Sequence, residues 1–328
     1  MKKLFFAAII IVILAIASVA VITFVYKDRA IRYAVEKSVA TQLPYVKFSM
    51  GSATMNFPAQ LVFTQISLKD QLHSVFIDID RMELEFYPSK VLKYFQEGGK
   101  KSALKYFFVT AKKIQYREVL INGLRLEGRL YNDGETVEKY AGFMASKDFL
   151  YKKIKMDDLR TEFEFKDKTL LVTMYHLLFA GGTITGTLKA DLLDSGFEYT
   201  AYVDMQNLQA KNLMIIFNLN KKLEMSGLWN GSVKVKGISG KGITSVEGKL
   251  VADAKGGEMV ITDQAMISSI ASRAGIAKDE VARSLARHDY DDGAMELGMD
   301  GNTVKLNLSL SGDTGQRNFD IYLHDFLQ

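Results

Sequence analysis

The chain has no cysteine among its 328 residues. That excludes disulfides, thiol nucleophiles, iron–sulfur clusters and cysteine-ligated zinc, without identifying a compartment. Proline is nearly absent as well: Pro44, Pro58 and Pro88 all fall early, leaving the C-terminal two-thirds free to pair as continuous sheet. Neither sign of charge dominates, and a net charge of +4 is too small at this length for a dedicated nucleic-acid binder. The four histidines, at 73, 176, 288 and 324, show no H-x-x-x-H spacing, and no G-x-S-x-G occurs. Asp289-Tyr290-Asp291-Asp292-Gly293 lacks the D-x-D-x-D-G spacing and the later glutamate of a calcium loop, so it reads as a turn. Gly237 to Gly242 is glycine-rich with a lysine but is not a phosphate-binding loop. Glu162 and Glu164 share one wet strand face, where solvation accounts for them. No nucleophile, metal set or acid–base pair converges, so the sequence points away from an enzyme and implies no catalytic residue, cofactor or metal.

What the chain does have is one long apolar run, Leu4 to Tyr26, without charge or proline. At about 1.5 Å per residue it spans roughly 34 Å, enough to cross a bilayer. Lys2, Lys3 and Ser18-Val19-Ala20 also fit a cleaved signal peptide, but the run continues past that site to Val25. A single-pass membrane anchor is therefore expected over residues 1–29. The flanking charges, Lys2 and Lys3 against Lys27, Arg29, Arg32 and Lys37, do not favour export of the C-terminal part, although long domains translocate regardless.

Beyond Pro44 the dominant signal has period two. Val304-Lys305-Leu306-Asn307-Leu308-Ser309-Leu310 alternates aliphatic and polar residues, and Phe319, Ile321 and Leu323 continue the pattern. Leu159–Phe165, Phe197–Val203 and Ser232–Val235 alternate likewise. Asp133-Gly134, Gly181-Gly182, Ser195-Gly196, Gly256-Gly257 and Asp292-Gly293 punctuate them at hairpin spacing. The spacing predicts about 14 antiparallel strands, which would extend about 65 Å at about 4.8 Å per strand. Two strands change phase midway, at Asp80-Arg81 and at Asn122-Gly123, as a β-bulge requires. Helical periodicity is confined to Ile31–Leu43, Ser89–Phe95, Thr136–Tyr151, a stretch from Leu208 to Leu219 entered through Asn207, and Thr262–Arg287, interrupted by Gly275. Lys90 to Arg117 mixes eight basic residues with aromatics and one glutamate. It reads as a solvated loop flanking a helix and a strand; a contact with an anionic membrane surface, or with single-stranded nucleic acid, is the alternative.

A one-sided sheet this wide must cover its apolar face. It can close into a sandwich or barrel with a dry core, or form a curved trough whose floor is covered by ligand tails. Here a resemblance bears on the choice. Gly182–Leu188, Phe197–Asp204, Asn207–Met214, Met225–Gly231, Lys236–Ile238, Val246–Leu250 and Gly256–Asp263 resemble, in order, the C-terminal region of the AsmA-like family of bacterial envelope proteins. The N-terminal anchor, Lys47–Ser49 and Leu61–Asp70 are similar to its N-terminal part. The resemblance implies an inner-membrane protein with its C-terminal bulk in the periplasm and an open β-groove carrying phospholipid acyl chains between inner and outer membrane. It brings no catalytic residue.

The expected fold is mainly β with short helices: an N-terminal transmembrane helix, then a long curved antiparallel sheet forming an open groove. The expected divisions are an anchor (1–29), an N-terminal β-rich part (30–155) and an AsmA-like C-terminal part (156–328). Candidate lipid-binding residues on the groove floor are Phe163, Phe165, Val233, Val235, Leu306, Leu308, Phe319 and Ile321. Ordinary core packing is the alternative for each. The expected partners are phospholipid acyl chains, the membrane through Leu4–Tyr26, and an envelope protein or further copies that would extend so short a groove; no nucleic acid is expected. A structural or assembly role in the envelope, acting through protein–protein contacts, is the alternative function.

Overall fold

The structure is a computed structural model that describes residues 28–56, 59–70, 74–88, 104–132, 138–151, 154–193, 196–239, 241–275, 277–284, 286–301 and 303–323. The apolar run Leu4–Tyr26 and the helix expected over Ser89–Phe95 lie outside them. Among the described residues no helix is long and apolar enough to cross a membrane. The chain divides into two compact units, Met1–Val172 and Thr173–Gln328. The described residues are mainly β, with sixteen strands in one large antiparallel sheet that is not closed and three in a second, small sheet.

The first unit begins with helix α1 (Asp28–Gln42), followed by β1 (Lys47–Ser49), β2 (Ser52–Asn56), β3 (Gln60–Asp70), β4 (Val75–Phe86), β5 (Leu104–Tyr116), β6 (Val119–Asn132), β7 (Glu138–Tyr151) and β8 (Ile154–Lys166). From β3 to β8 each strand pairs antiparallel with the next. Helix α1 buries Ile31, Val35 and Val39, spaced four apart, against Leu61, Phe63, Ile66, Met82 and Leu84, the single stripe of an amphipathic helix.

The described part of the helix expected over Thr136–Tyr151, from Glu138 onward, is instead strand β7. Its Ala141, Gly142 and Ala145 sit opposite β6 and β8 on either side, and Ser146 opposite β8. A Cβ added to Gly142 would fall 1.9 Å from the Glu127 carbonyl oxygen. Pairing on both edges outweighs a modest local helical preference.

Strand β9 (Thr169–Phe179) carries the chain across the division between the units. The second unit continues with β10 (Gly182–Leu193), β11 (Gly196–Gln209), α2 (Ala210–Ile216), β12 (Leu223–Met225), β13 (Leu228–Ile238), β14 (Gly242–Ala252), β15 (Gly257–Ile261), α3 (Gln264–Ala274), α4 (Lys278–Ser284), β16 (Arg287–Tyr290), β17 (Asp292–Asp300), β18 (Thr303–Gly312) and β19 (Gly315–Leu323). The large sheet runs β10-β11-β13-β14-β17-β18-β19, and β12-β15-β16 form the small one.

Helix α2 starts after Gln209, not Asn207. Asn207 has φ +56° inside a bulge, where the β11·β13 register shifts between Met205 and Leu208. The segment Thr262–Arg287 is two helices. Asp263 caps the first by accepting a hydrogen bond from Ala265 N (2.8 Å), and left-handed Gly275 (φ +67°) ends it. Asp292-Gly293 opens β17, directly after the chain leaves the small sheet, so it is a corner between sheets and not a hairpin turn.

Candidate functional site

In the first unit the period-two pattern gathers most apolar side chains on one face. Leu84, Phe107, Gly128, Gly142 and Phe163 are successive cross-strand partners, as are Met82, Val109, Leu126, Met144 and Thr161. Further along the strands the row is Ile77, Ile114, Ile121, Phe149 and Met156. These rows form one apolar floor. Helix α1 covers its β3–β4 end; from β5 to β8 Phe107, Val109, Ile114, Leu126, Ile121, Met144, Phe149 and Phe163 are only partly buried, while Ala111, Leu124, Leu130 and Thr161 between them are buried. Phe107 stacks with Phe163 at 6.4 Å and lies over Gly128, where an added Cβ would sit 2.4 Å from its ring. Phe165, opposite Tyr140, belongs to the same floor.

A line of interruptions crosses this sheet. Gln65, Asp80, Lys112, Gly123, Lys147 and Asp158, one in each of β3 to β8, stand where the ladder pairs skip. Gln65 (φ +53°), Gly123 (φ +60°) and Asp158 (φ +50°) are left-handed. A single unpaired residue moves the following side chains to the other face. Because all six strands carry one at the same level, the apolar residues return to one face on both sides of the line. The bulges expected in β4 and β6 are therefore two members of a transverse crease. Its other members had a readable signal, the adjacent polar pairs Lys112-Lys113, Lys147-Asp148 and Asp157-Asp158.

The opposite face mixes charge with aromatic rings: half-buried Phe108 and Phe143 stand in the strands between Glu83, Glu127 and Glu162. Arg81, Arg125 and Arg160 recur in alternate strands at one level, and Glu83, Glu127 and Glu162 at the next. Arg81 pairs with Glu83 at 2.5 Å and Arg160 with Asp158 at 3.1 Å. Partial burial, then Glu127 and Glu83, raise the Tyr106 hydroxyl above its ordinary value. Within Lys90 to Arg117, residues 104–116 form strand β5 and not a solvated loop. Lys105 meets Glu85 (2.5 Å), Lys112 meets Asp80 (2.9 Å), and Lys113 lies over the Phe76 ring. Residues 90–103 lie outside the described set.

The second unit presents a comparable apolar face with a different cover. The small sheet and helices α2 to α4 close over one end of it. Leu213, Met225, Met259, Ile267 and Val281 from this cover meet Leu208, Trp229, Leu250, Met295, Leu308 and Leu310 from the large sheet. Tyr290 lies inside, donating to the Ser226 carbonyl, and burial pushes its hydroxyl up to about 12. Toward the other end of the strands, Leu188, Ala201, Val235 and Tyr199 are partly exposed, and Tyr199 lies over Gly237 as Phe107 lies over Gly128.

The eight candidate floor residues therefore separate. Phe163 and Phe165 are on the open floor of the first unit. Val233 is 8 % exposed in a small cluster with Val246, Val304 and Leu323, with Val235 partly buried beside it. Leu306 and Leu308, opposite Ile321 and Phe319, are 0 % and 1 % exposed within the covered core. Phe319 and Ile321 pack partly against that core. Sequence reasoning missed Phe107, Tyr199 and the cover itself.

His288 is buried, its Nδ1 2.8 Å from Thr314 Oγ1. Among the described residues no three histidine or carboxylate side chains are placed to hold a metal ion. Comparison with protein-family models, curated proteins and solved structures finds no match.

Proposed function

We propose that this chain is a membrane-anchored periplasmic protein that binds phospholipid acyl chains on its open apolar sheet faces and contributes to phospholipid transport between inner and outer membrane. The observation that carries the reading is the floor of β5 to β8, whose Phe107, Val109, Ile114, Leu126, Ile121, Met144, Phe149 and Phe163 lie in three cross-strand rows and stay partly exposed beyond the end covered by α1. Burial of hydrocarbon on such a surface scales with area and is indifferent to chain identity. A lipid tail would therefore bind without a specific pocket and slide at little cost. The run Leu4–Tyr26 and the resemblance to AsmA-like proteins support the inner-membrane and periplasmic setting. A role in envelope assembly through protein contacts is the second reading, favoured by the free strand edge of β19.

The test is native mass spectrometry of the full chain, purified from a bacterial host in mild detergent, with lipid extraction. The proposal expects stoichiometric phospholipid, reduced by Phe163→Asp combined with Val235→Asp while circular dichroism is unchanged. A lipid-free mass from a folded, monodisperse sample contradicts it. Charges at Leu306 or Leu308 would report core folding instead of ligand.

A further inference from the structure

The large sheet ends differently at its two sides. At one end β1 and β2, of three and five residues, share the outer side of β3 and are broken by Met50-Gly51, the short, interrupted edge that resists strand addition. At the other end β19 is nine residues long and pairs with β18 without a register shift, from Gly312↔Gly315 to Val304↔Leu323. No described strand lies on its outer side. It contains no proline or bulge, and its charges are Arg317 and Asp320.

The two-residue turn Asp313-Thr314 closes on the Gly312↔Gly315 pair, which in such a hairpin exchanges both hydrogen bonds. Odd-numbered residues of β19 therefore bond to β18. Gln316, Asn318, Asp320 and Tyr322 direct their N–H and C=O groups to the free side.

We propose that β19 is a homodimer edge, pairing antiparallel with β19 of a second copy about a two-fold axis through Phe319. Centred there, all nine residues find a partner: Phe319 faces Phe319, Asn318 faces Asp320, Arg317 faces Ile321 and Gln316 faces Tyr322. Both free-side hydrogen-bonding sets match, and apolar residues of both copies stay on one face of the joined sheet. Centring on Asp320 would oppose two carboxylates, and centring on Arg317 would oppose two guanidiniums. Head-to-tail stacking is disfavoured because the opposite edge offers only two segments, of three and five residues broken at Met50-Gly51, to the nine of β19. The proposal is independent of lipid binding, since it rests on the edge alone.

The absence of native cysteine makes the test direct. Phe319→Cys places two thiols in a non-hydrogen-bonded antiparallel pair, about 4.5 Å apart at Cα, within disulfide range. In Tyr322→Cys the two thiols lie six positions apart, about 20 Å. Full chain in bacterial membranes, mildly oxidised and run without reductant, is expected to give a disulfide dimer at Phe319→Cys and none at Tyr322→Cys. Adding Asn318→Pro, which removes a free-side N–H and leaves the β18 ladder intact, should abolish the cross-link, and Asn318→Ala should not. Without any cysteine, Asn318→Asp sets carboxylates opposite Asp320 twice per dimer, and should weaken dimerisation about tenfold by light scattering. Equal cross-linking at both positions, or none with a monomeric mass for the unmodified chain, overturns the proposal.

Discussion

The two units use one sequence rule and finish it differently. In both, period-two alternation gathers apolar side chains on a single sheet face, and an aromatic ring lies over a cross-strand glycine, Phe107 on Gly128 and Tyr199 on Gly237. In the second unit, a small sheet and three helices close over part of that face and make a dry core around Trp229, Met295 and Leu308. In the first, α1 covers the β3–β4 end, and much of the remaining floor, including Phe107, Met144 and Phe163, stays partly exposed. Alternation thus decides which face is apolar, and the segments inserted between strands decide whether that face becomes core or surface.

The strongest way to break this comparison is to truncate one side chain on each floor. Leu308→Ala should lower unfolding stability by about 3 kcal/mol, because a cavity opens in a closed core. Phe163→Ala, on the open floor, should cost less than half as much. Equal losses in urea denaturation would erase the distinction. A smaller effect is expected at Tyr290→Phe, which removes a buried donor to Ser226 and should cost about 1 kcal/mol at neutral pH. Burial raises the native Tyr290 hydroxyl from its unfolded value of 10.0 to about 12. Its contribution is thus complete below pH 10 and lost as pH rises toward 12, so the variant should show a flatter decline over that window. The smallest expected change is a gain. Gln65→Gly relieves a left-handed residue in the crease of the first unit and should raise stability by about 0.5 kcal/mol or more. A loss there would mean the Gln65 side chain stabilises the crease more than its backbone strains it.

Much of this was legible in the residues. The antiparallel sheet followed from alternation in strands such as Val304–Leu310, and the phase change at Asp80-Arg81 announced a bulge. Other features depended on pairing. Ala141 to Ser146 has small residues that suit a helix as well as a strand, and only its two neighbours make it β7. The described residues form nineteen strands in two sheets where alternation predicts about 14, because runs such as Thr169–Phe179 alternate weakly. Leu306 and Leu308 have the same pattern as open-floor residues. What distinguishes them is a cover assembled from α2, α3, α4 and three short strands, none of which signals its docking position locally.

The central claim is that the open floors, and not the covered core, contact lipid. A photo-crosslinking amino acid placed singly at Phe163, Val235 and Leu308 of the full chain in living bacteria tests it most directly. Phospholipid adducts at residues 163 and 235, with none at 308, are the expected result. Adducts absent from all three positions, or present only at 308, would contradict the account.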